Sequence, residues 1–177
     1  MTYYGSKELA ASFRTVRGNT IQIAQDIPED KYSFKPAPDC KTIAQTLAHI
    51  GVGTGFQHHI QSNKIADLTT VNFTELIQKL GAEENKPRTK AELIAFLKSE
   101  GDAFATFLEK LPEPFLAEQV AMAPGAIPAT RSRFEMLLSP KEHEMHHRGQ
   151  LMTMERAVGV TPHLTRQQQE RMAPAKK

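Results

Sequence analysis

Apolar side chains recur along this chain at three- and four-residue intervals, and the intervals break at proline, glycine or polar runs. Leu9, Phe13, Val16, Thr20, Ile23 and Ile27 follow helical spacing behind Ser6, a residue suited to a helix start, and Pro28 closes the run. Tyr32 to Asp39 carries Pro36 and Pro38 and reads as a connector. A second helix is expected from Lys41 or Thr42 to about Ser62, with Ile43, Leu47 and Ile50 on one side and Thr46, His49 and Gly53 beside them. Gly51, Gly53 and Gly55 each weaken that helix by up to ~1 kcal/mol relative to alanine. They predict either close approach of another helix or a ligand, or simple fraying.

Asn72 to Gly81 reads as a short helix ended by its glycine. Thr89 caps a third long helix whose stripe is Leu93, Phe96, Leu97, Phe104, Phe107, Leu108 and Leu111, stopped by Pro112 and Pro114. From Phe115 to Thr130 the apolar positions scatter, and Pro124-Gly125 marks a turn, so an irregular crossover with short extended pieces is expected. Arg131 to Leu138 is compatible with helix. Ser139, Pro140 and Glu142 then suit N-cap, N1 and N3 of a fourth main helix running to about Val158, ended by Gly159 and Pro162. A short helix is expected from Thr165 to Met172. The prediction is one all-α domain over residues 1–177: a four-helix bundle with an irregular crossover before the last main helix.

Composition narrows the function. The 177 residues are 40% hydrophobic and 24% charged, ordinary for a soluble globular chain. A net charge of +2 gives no compositional support for nucleic-acid binding. The basic tail from Ala173 to Lys177 reads as a solvated end. Cys40 is the single cysteine, which excludes an intrachain disulfide and suits a reducing cytoplasm. The first residues lack the charged-then-apolar pattern of a signal peptide, and no stretch approaches the roughly 18 apolar residues of a membrane span.

The candidate chemistry lies between His143 and Leu151. His143 and His147 are four residues apart and share one helix face, with Gln150, Met154 and Val158 close to it, so both imidazoles point to the bundle interior. Two neutral imidazoles buried side by side lack polar partners, and a divalent cation supplies one. His49, beside the apolar face of the second helix, is the best third ligand. Three histidines leave a coordination position for water or substrate. The alternative for the pair is surface exposure or a mutual hydrogen bond. His146 falls at the edge of the face and is expected to be structural or solvated; His58 is expected to be exposed, and His59 and His163 to lie at the surface.

Glu144, roughly 60° from His147 around the helix, is a candidate catalytic residue that orients a ligand or accepts a proton, or else an exposed helix charge. Gln150 is expected to pack in the bundle and Arg148 to pair with another helix or a partner subunit; nothing near Cys40 lowers its pKa to make it a nucleophile. The run also spells His-Glu-x-x-His, the zincin signature. Against a peptidase stand the lack of an upstream docking strand, the absence of the longer His-x-x-Gly-x-x-His form, and the position in a polar tail of Glu170, the only downstream acid at a plausible distance for a third ligand. A di-iron bundle needs a second Glu-x-x-His, which the chain lacks.

The run from His143 to Gln150 resembles the last-helix motif of the DinB-like (DinB/YfiT) superfamily. The order of features agrees: a first helix ending at Ile27-Pro28, the Phe34-Lys35-Pro36-Ala37-Pro38 connector, and Thr42 to Ile50, similar to the family's second-helix histidine segment. The resemblance spans roughly residues 6–160. It implies a four-helix bundle, frequent homodimers, and a three-histidine site for zinc or nickel, with His49, His143 and His147 as ligands by position. Some relatives are transferases or isomerases dependent on low-molecular-weight thiols. Pro140 departs from the pattern and predicts that the metal-bearing helix starts or kinks there. The expectation is a metal-dependent transferase acting on a small thiol and a small electrophile. A metal-dependent hydrolase and a non-enzymatic metal-binding stress-response protein are the alternatives.

Overall fold

The computed structural model describes residues 4–173, so the ends read above for a leader and a solvated tail fall mostly outside it. The first helix, α1, spans Ser6–Asp26. Its cap is Gly5 rather than Ser6: the Gly5 N–H donates to Glu8 Oε2 at 2.9 Å, and Glu113 accepts from the Ser6 N–H at 3.0 Å. Leu9, Phe13, Val16, Thr20 and Ile23 form its buried side, as the spacing predicts.

The second predicted helix is two. Thr42 caps α2, Ile43–Val52, in a reciprocal box with Gln45, and α3 covers Gly55–Ser62. At the break the Gly53 N–H bonds Ile50 O, a tighter turn than the helix itself. All three glycines serve close approach, and the visitors are side chains. A Cβ at Gly51 would stand 2.3 Å from Phe96, at Gly53 2.8 Å from His143, and at Gly55 2.6 Å from Leu80.

Asn72 caps α4, which runs Phe73–Glu84 and passes through the glycine expected to end it. Gly81 is not among the glycines with positive φ, so it makes no left-handed cap, and the chain continues another turn. Thr89 and Glu92 form the capping box of α5, Lys90–Glu109. The prolines that stop α5 also start α6, Glu113–Ala117, since proline suits a first helical turn.

The crossover holds a small ribbon. Strand β1, Gln119–Ala121, pairs antiparallel with β2, Thr130–Ser132, with Gln119 opposite Ser132. These are the short extended pieces expected in the crossover, paired as a ribbon immediately before the last main helix, and Val120 is fully buried.

The last main helix, α7, spans Arg133–Ala157, so Ser139 and Pro140 lie in its interior rather than at its start. Ser132 caps it instead, its hydroxyl accepting from the Glu135 N–H at 3.1 Å. Arg133 anchors the first turn to Glu118, Gln61 and the Ile65 carbonyl. Buried Pro140 forgoes one backbone bond, and these contacts carry the helix through it. Gly159, at φ 88°, turns the chain out of α7, and α8 covers His163–Met172.

The helices α1, α2, α5 and α7 make the bundle: α1 and α2 each pack on both α5 and α7. One core cluster gathers Ile23, Ile43, Leu47, Ile50, Leu97 and Leu151; a second gathers Leu9, Phe13, Phe104, Leu108 and Leu137. Among the described residues no helix is long and apolar enough to cross a membrane.

Candidate metal centre

Packing α2 against α7 brings three histidines to one point. His49 comes from α2; His143 and His147 come from successive turns of α7. Nε2 of His143 lies 3.0 Å from Nε2 of His49 and 3.2 Å from Nε2 of His147. One ligand atom from each lies within 4.8 Å of the others, and all three residues are half-buried.

The far side of each ring decides what the near side offers. His49 Nδ1 lies 2.8 Å from Glu84 Oε2, and a carboxylate only accepts, so Nδ1 carries the proton and Nε2 is left a lone pair. Likewise His147 Nδ1 donates to Gln150 Oε1 at 2.8 Å, leaving its Nε2 a lone pair. Between them His143 Nε2 has one proton at most and cannot satisfy both. A divalent cation satisfies all three. The N···N separations of 3.0 and 3.2 Å are close to the roughly 3.3 Å that Zn–N bonds of ~2.0–2.1 Å give at tetrahedral angles. The residues fit a metal.

Charge supports this arrangement. Burial, then the neighbouring His147 and His49, push the His143 pKa down to about 4, so the ring is neutral near pH 7. Burial first also lowers His147. Burial would raise Glu84, but hydrogen bonds from Lys41 and His49 outweigh it and hold the carboxylate below its ordinary pKa. Lys41 Nζ reaches Glu84 Oε1 at 2.6 Å, so one carboxylate links the ammonium to the imidazole.

Glu84 is not singled out by the sequence reading. It continues the face of Leu76 and Leu80 at i+4 spacing, a signal hidden by taking Gly81 as the end of its helix. Gln150, expected to pack in the core, is exposed; it orients His147 and donates to exposed His146 Nε2 at 3.2 Å.

Glu144 has other commitments. It is 1% exposed, which overturns its reading as a solvated charge, and both its oxygens lie 3.0 Å from Arg17 Nε. Burial pushes its pKa up and Arg17 opposes that. His58 and His59 are exposed as expected. His163 is buried, against expectation, with Nε2 3.2 Å from Asn19 Oδ1. Among the described residues Arg148 makes no ion pair with another helix. Cys40 is exposed.

Two cavities adjoin the triad. One, of about 360 Å³, touches His147, Gln150, Lys41, Cys40, Thr46 and Met154. The other, of about 300 Å³, touches His49 and His143 and is walled by Val52, Phe56, Ile77 and Leu80.

The DinB family model matches residues 1–176 of this chain. The uncharacterized protein YjoA of Bacillus subtilis (strain 168) is 26% identical over 156 residues, covering 88% of this chain and 92% of YjoA. In its crystal structure the DinB-like YjoA aligns with a TM-score of 0.65 at 21% identity, over 87% of this chain and 94% of that one. A DinB-like protein from Bacillus cereus ATCC 10987 aligns at 0.69 and 16% identity, over 91% and 97%. YfiT from Bacillus subtilis, described as a probable metal-dependent hydrolase with an unusual four-helix bundle topology, aligns at 0.66 and 10% identity, over 91% of each chain. At these identities the structural likeness is one of fold.

Proposed function

Since the chain belongs to the DinB family, we propose that it is a metal-dependent enzyme in which His49, His143 and His147 hold one divalent cation, zinc or nickel, for transfer between a low-molecular-weight thiol and a small electrophile. The observation that carries this reading is the convergence of three Nε2 atoms while Glu84 and Gln150 occupy the opposite nitrogens of His49 and His147. When bound, such a cation supplies Lewis acidity and lowers the pKa of a coordinated thiol or water.

The chain's own residues do the rest. Glu84 fixes the tautomer and angle of His49, and Lys41 holds Glu84 in place. Gln150 does the same for His147. Two adjoining cavities give room for small reactants. Thiol is favoured over water as nucleophile by the carboxylates. A zincin-type hydrolysis uses a free glutamate as general base beside the metal. Here Glu144 is held by Arg17, and Glu84 by His49 and Lys41. A thiol is intrinsically far more acidic than water, so beside a bound cation it would release its proton to solvent near neutral pH with less need of such a base. Hydrolysis is the second reading, and the description of YfiT favours it.

Metal analysis tests the centre. One metal per chain is expected in the wild type, with loss in His49→Ala, His143→Ala and His147→Ala. Unchanged content in these variants overturns the assignment. Consumption of a small electrophile that requires added thiol and vanishes in His147→Ala supports transfer; consumption without thiol makes the protein a hydrolase.

A further inference from the structure

The cavity on the His49 and His143 side has a composition the metal alone does not explain. Its walls are Val52 from α2, Phe56 from α3, and Ile77 and Leu80 from α4. Phe56 is braced from behind by stacking on Phe73, with ring centroids 5.9 Å apart. The space is kept open by small residues. A Cβ at Gly81, which lines the cavity, meets nothing within 4 Å. Leu80 lies over Gly55, where a Cβ would stand only 2.6 Å from it.

The polar groups of the cavity are unevenly placed. His49, His143 and Glu84 belong to the metal centre. Gln57 is buried with its Oε1 taken by Gln61, and Ser139 is exposed. Ile77, 63% exposed, stands at the mouth of the cavity, so the apolar lining runs out to the surface there. A concave, mostly apolar lining beside a few convergent polar groups is the usual form of a small-molecule site. A volume of about 300 Å³ is at the lower end of small-molecule sites, which run roughly 300–1,000 Å³, so the occupant is small.

We propose that this cavity between α2, α3, α4 and α7 seats an apolar group of the substrate, a short alkyl chain or a single ring, on a molecule whose polar head reaches the metal. The proposal rests on the metal-centre reading and adds the substrate class: small amphiphilic electrophiles. Val52, Phe56, Ile77 and Leu80 set specificity by excluding water from the apolar group, while the head is read by the metal.

The test is calorimetry on zinc-loaded protein with alkyl hydroxamates, from acetohydroxamate to octanohydroxamate. The shared head binds the metal and only the tail varies. Affinity is expected to rise by up to about fourfold per methylene until the cavity is full. Gly81→Leu fills open space inside a helix with a better helix former, and should flatten that rise while leaving acetohydroxamate affinity and zinc content unchanged. Ile77→Thr, at the exposed lip, should reduce the slope. A flat series in zinc-loaded wild type overturns the proposal alone. Failure of the wild type to bind either zinc or nickel overturns the metal centre and the proposal with it. An unchanged slope in Gly81→Leu also overturns it, as does a wild type that sediments as a dimer and a Gly81→Leu variant that sediments as a monomer, the latter in favour of a second copy covering Ile77.

Discussion

Arg17 on α1 and Glu144 on α7 form a buried ion pair in which Nε lies 3.0 Å from both carboxylate oxygens. The other guanidinium nitrogens donate to the carbonyls of Leu97 on α5 and Ile50 on α2. One side chain thus bonds to all three of the other bundle helices. It reaches the residues immediately after His49 and His143, so it sets the register of the two metal-bearing helices. Gly101 makes room for it: a Cβ there would stand 2.7 Å from Arg17 Cγ. Breaking one side of a buried pair leaves an uncompensated charge and costs roughly 3–5 kcal/mol. Glu144→Gln is therefore expected to lower thermal stability strongly while retaining one metal per chain. A stable Glu144→Gln protein with metal but no turnover would instead make Glu144 the general base. Replacing Arg17 and Glu144 together with Met should be milder than either single change, which denaturant melts of the three variants would measure.

Glu84 holds His49 from outside the triad. Losing such an outer partner typically costs about 10–100-fold in metal affinity. Glu84→Gln should show a loss in that range by competition with a chelating dye, with the fold unchanged by circular dichroism. Lys41→Met should show a smaller loss, because Lys41 touches only Glu84 among these groups.

Gly53 and Gly18 make a matched pair. Gly18 is helical and exposed, with nothing within 4 Å of an added Cβ, so Gly18→Ala should stabilise by up to about 1 kcal/mol. Gly53 has an ordinary φ of −60°, yet its added Cβ would meet His143 Nδ1 at 2.8 Å. Gly53→Ala should lower metal affinity on the order of tenfold, as losing an outer partner does, with little change in metal-free stability. Equal metal affinity in the two variants would remove the role assigned to Gly53.

Glu155 is fully buried, and among the described residues neither carboxylate oxygen has a hydrogen-bond partner. Burial, then nearby Asp26, push its pKa from 4.5 up to about 7. The folded state therefore binds more protons than the unfolded state between those values, so this group's contribution to stability is present below about pH 4.5 and is lost as pH rises to about 7. The full excursion is on the order of 3 kcal/mol. Glu155→Gln should flatten the fall in melting temperature between pH 5 and pH 8. A parallel fall in both proteins would assign the pH dependence to other groups.

Much of the fold was legible because it is local. Helical spacing and caps located α1, α2 and α5, with Thr42 and Thr89 in place as caps, and the four-residue interval put His143 and His147 on one face. The misreadings fall at the same kinds of residue. Gly81, Gly53 and Ser139-Pro140 are helix breakers by intrinsic preference, a matter of about 1 kcal/mol for glycine and 3 for proline. At Gly81 and Pro140 the helix continues because its flanks are anchored elsewhere, Glu84 to Lys41 and His49, Arg133 to Glu118 and Gln61. At Gly53 the break is real, and His143 occupies the space beside it. The residues that tune the centre were illegible for a different reason. Which glutamate meets His49, and that Arg17 rather than solvent meets Glu144, depends on contacts 35 and 127 positions apart. Spacing along one helix specifies a face, whereas the partner of that face is chosen by how the helices pack.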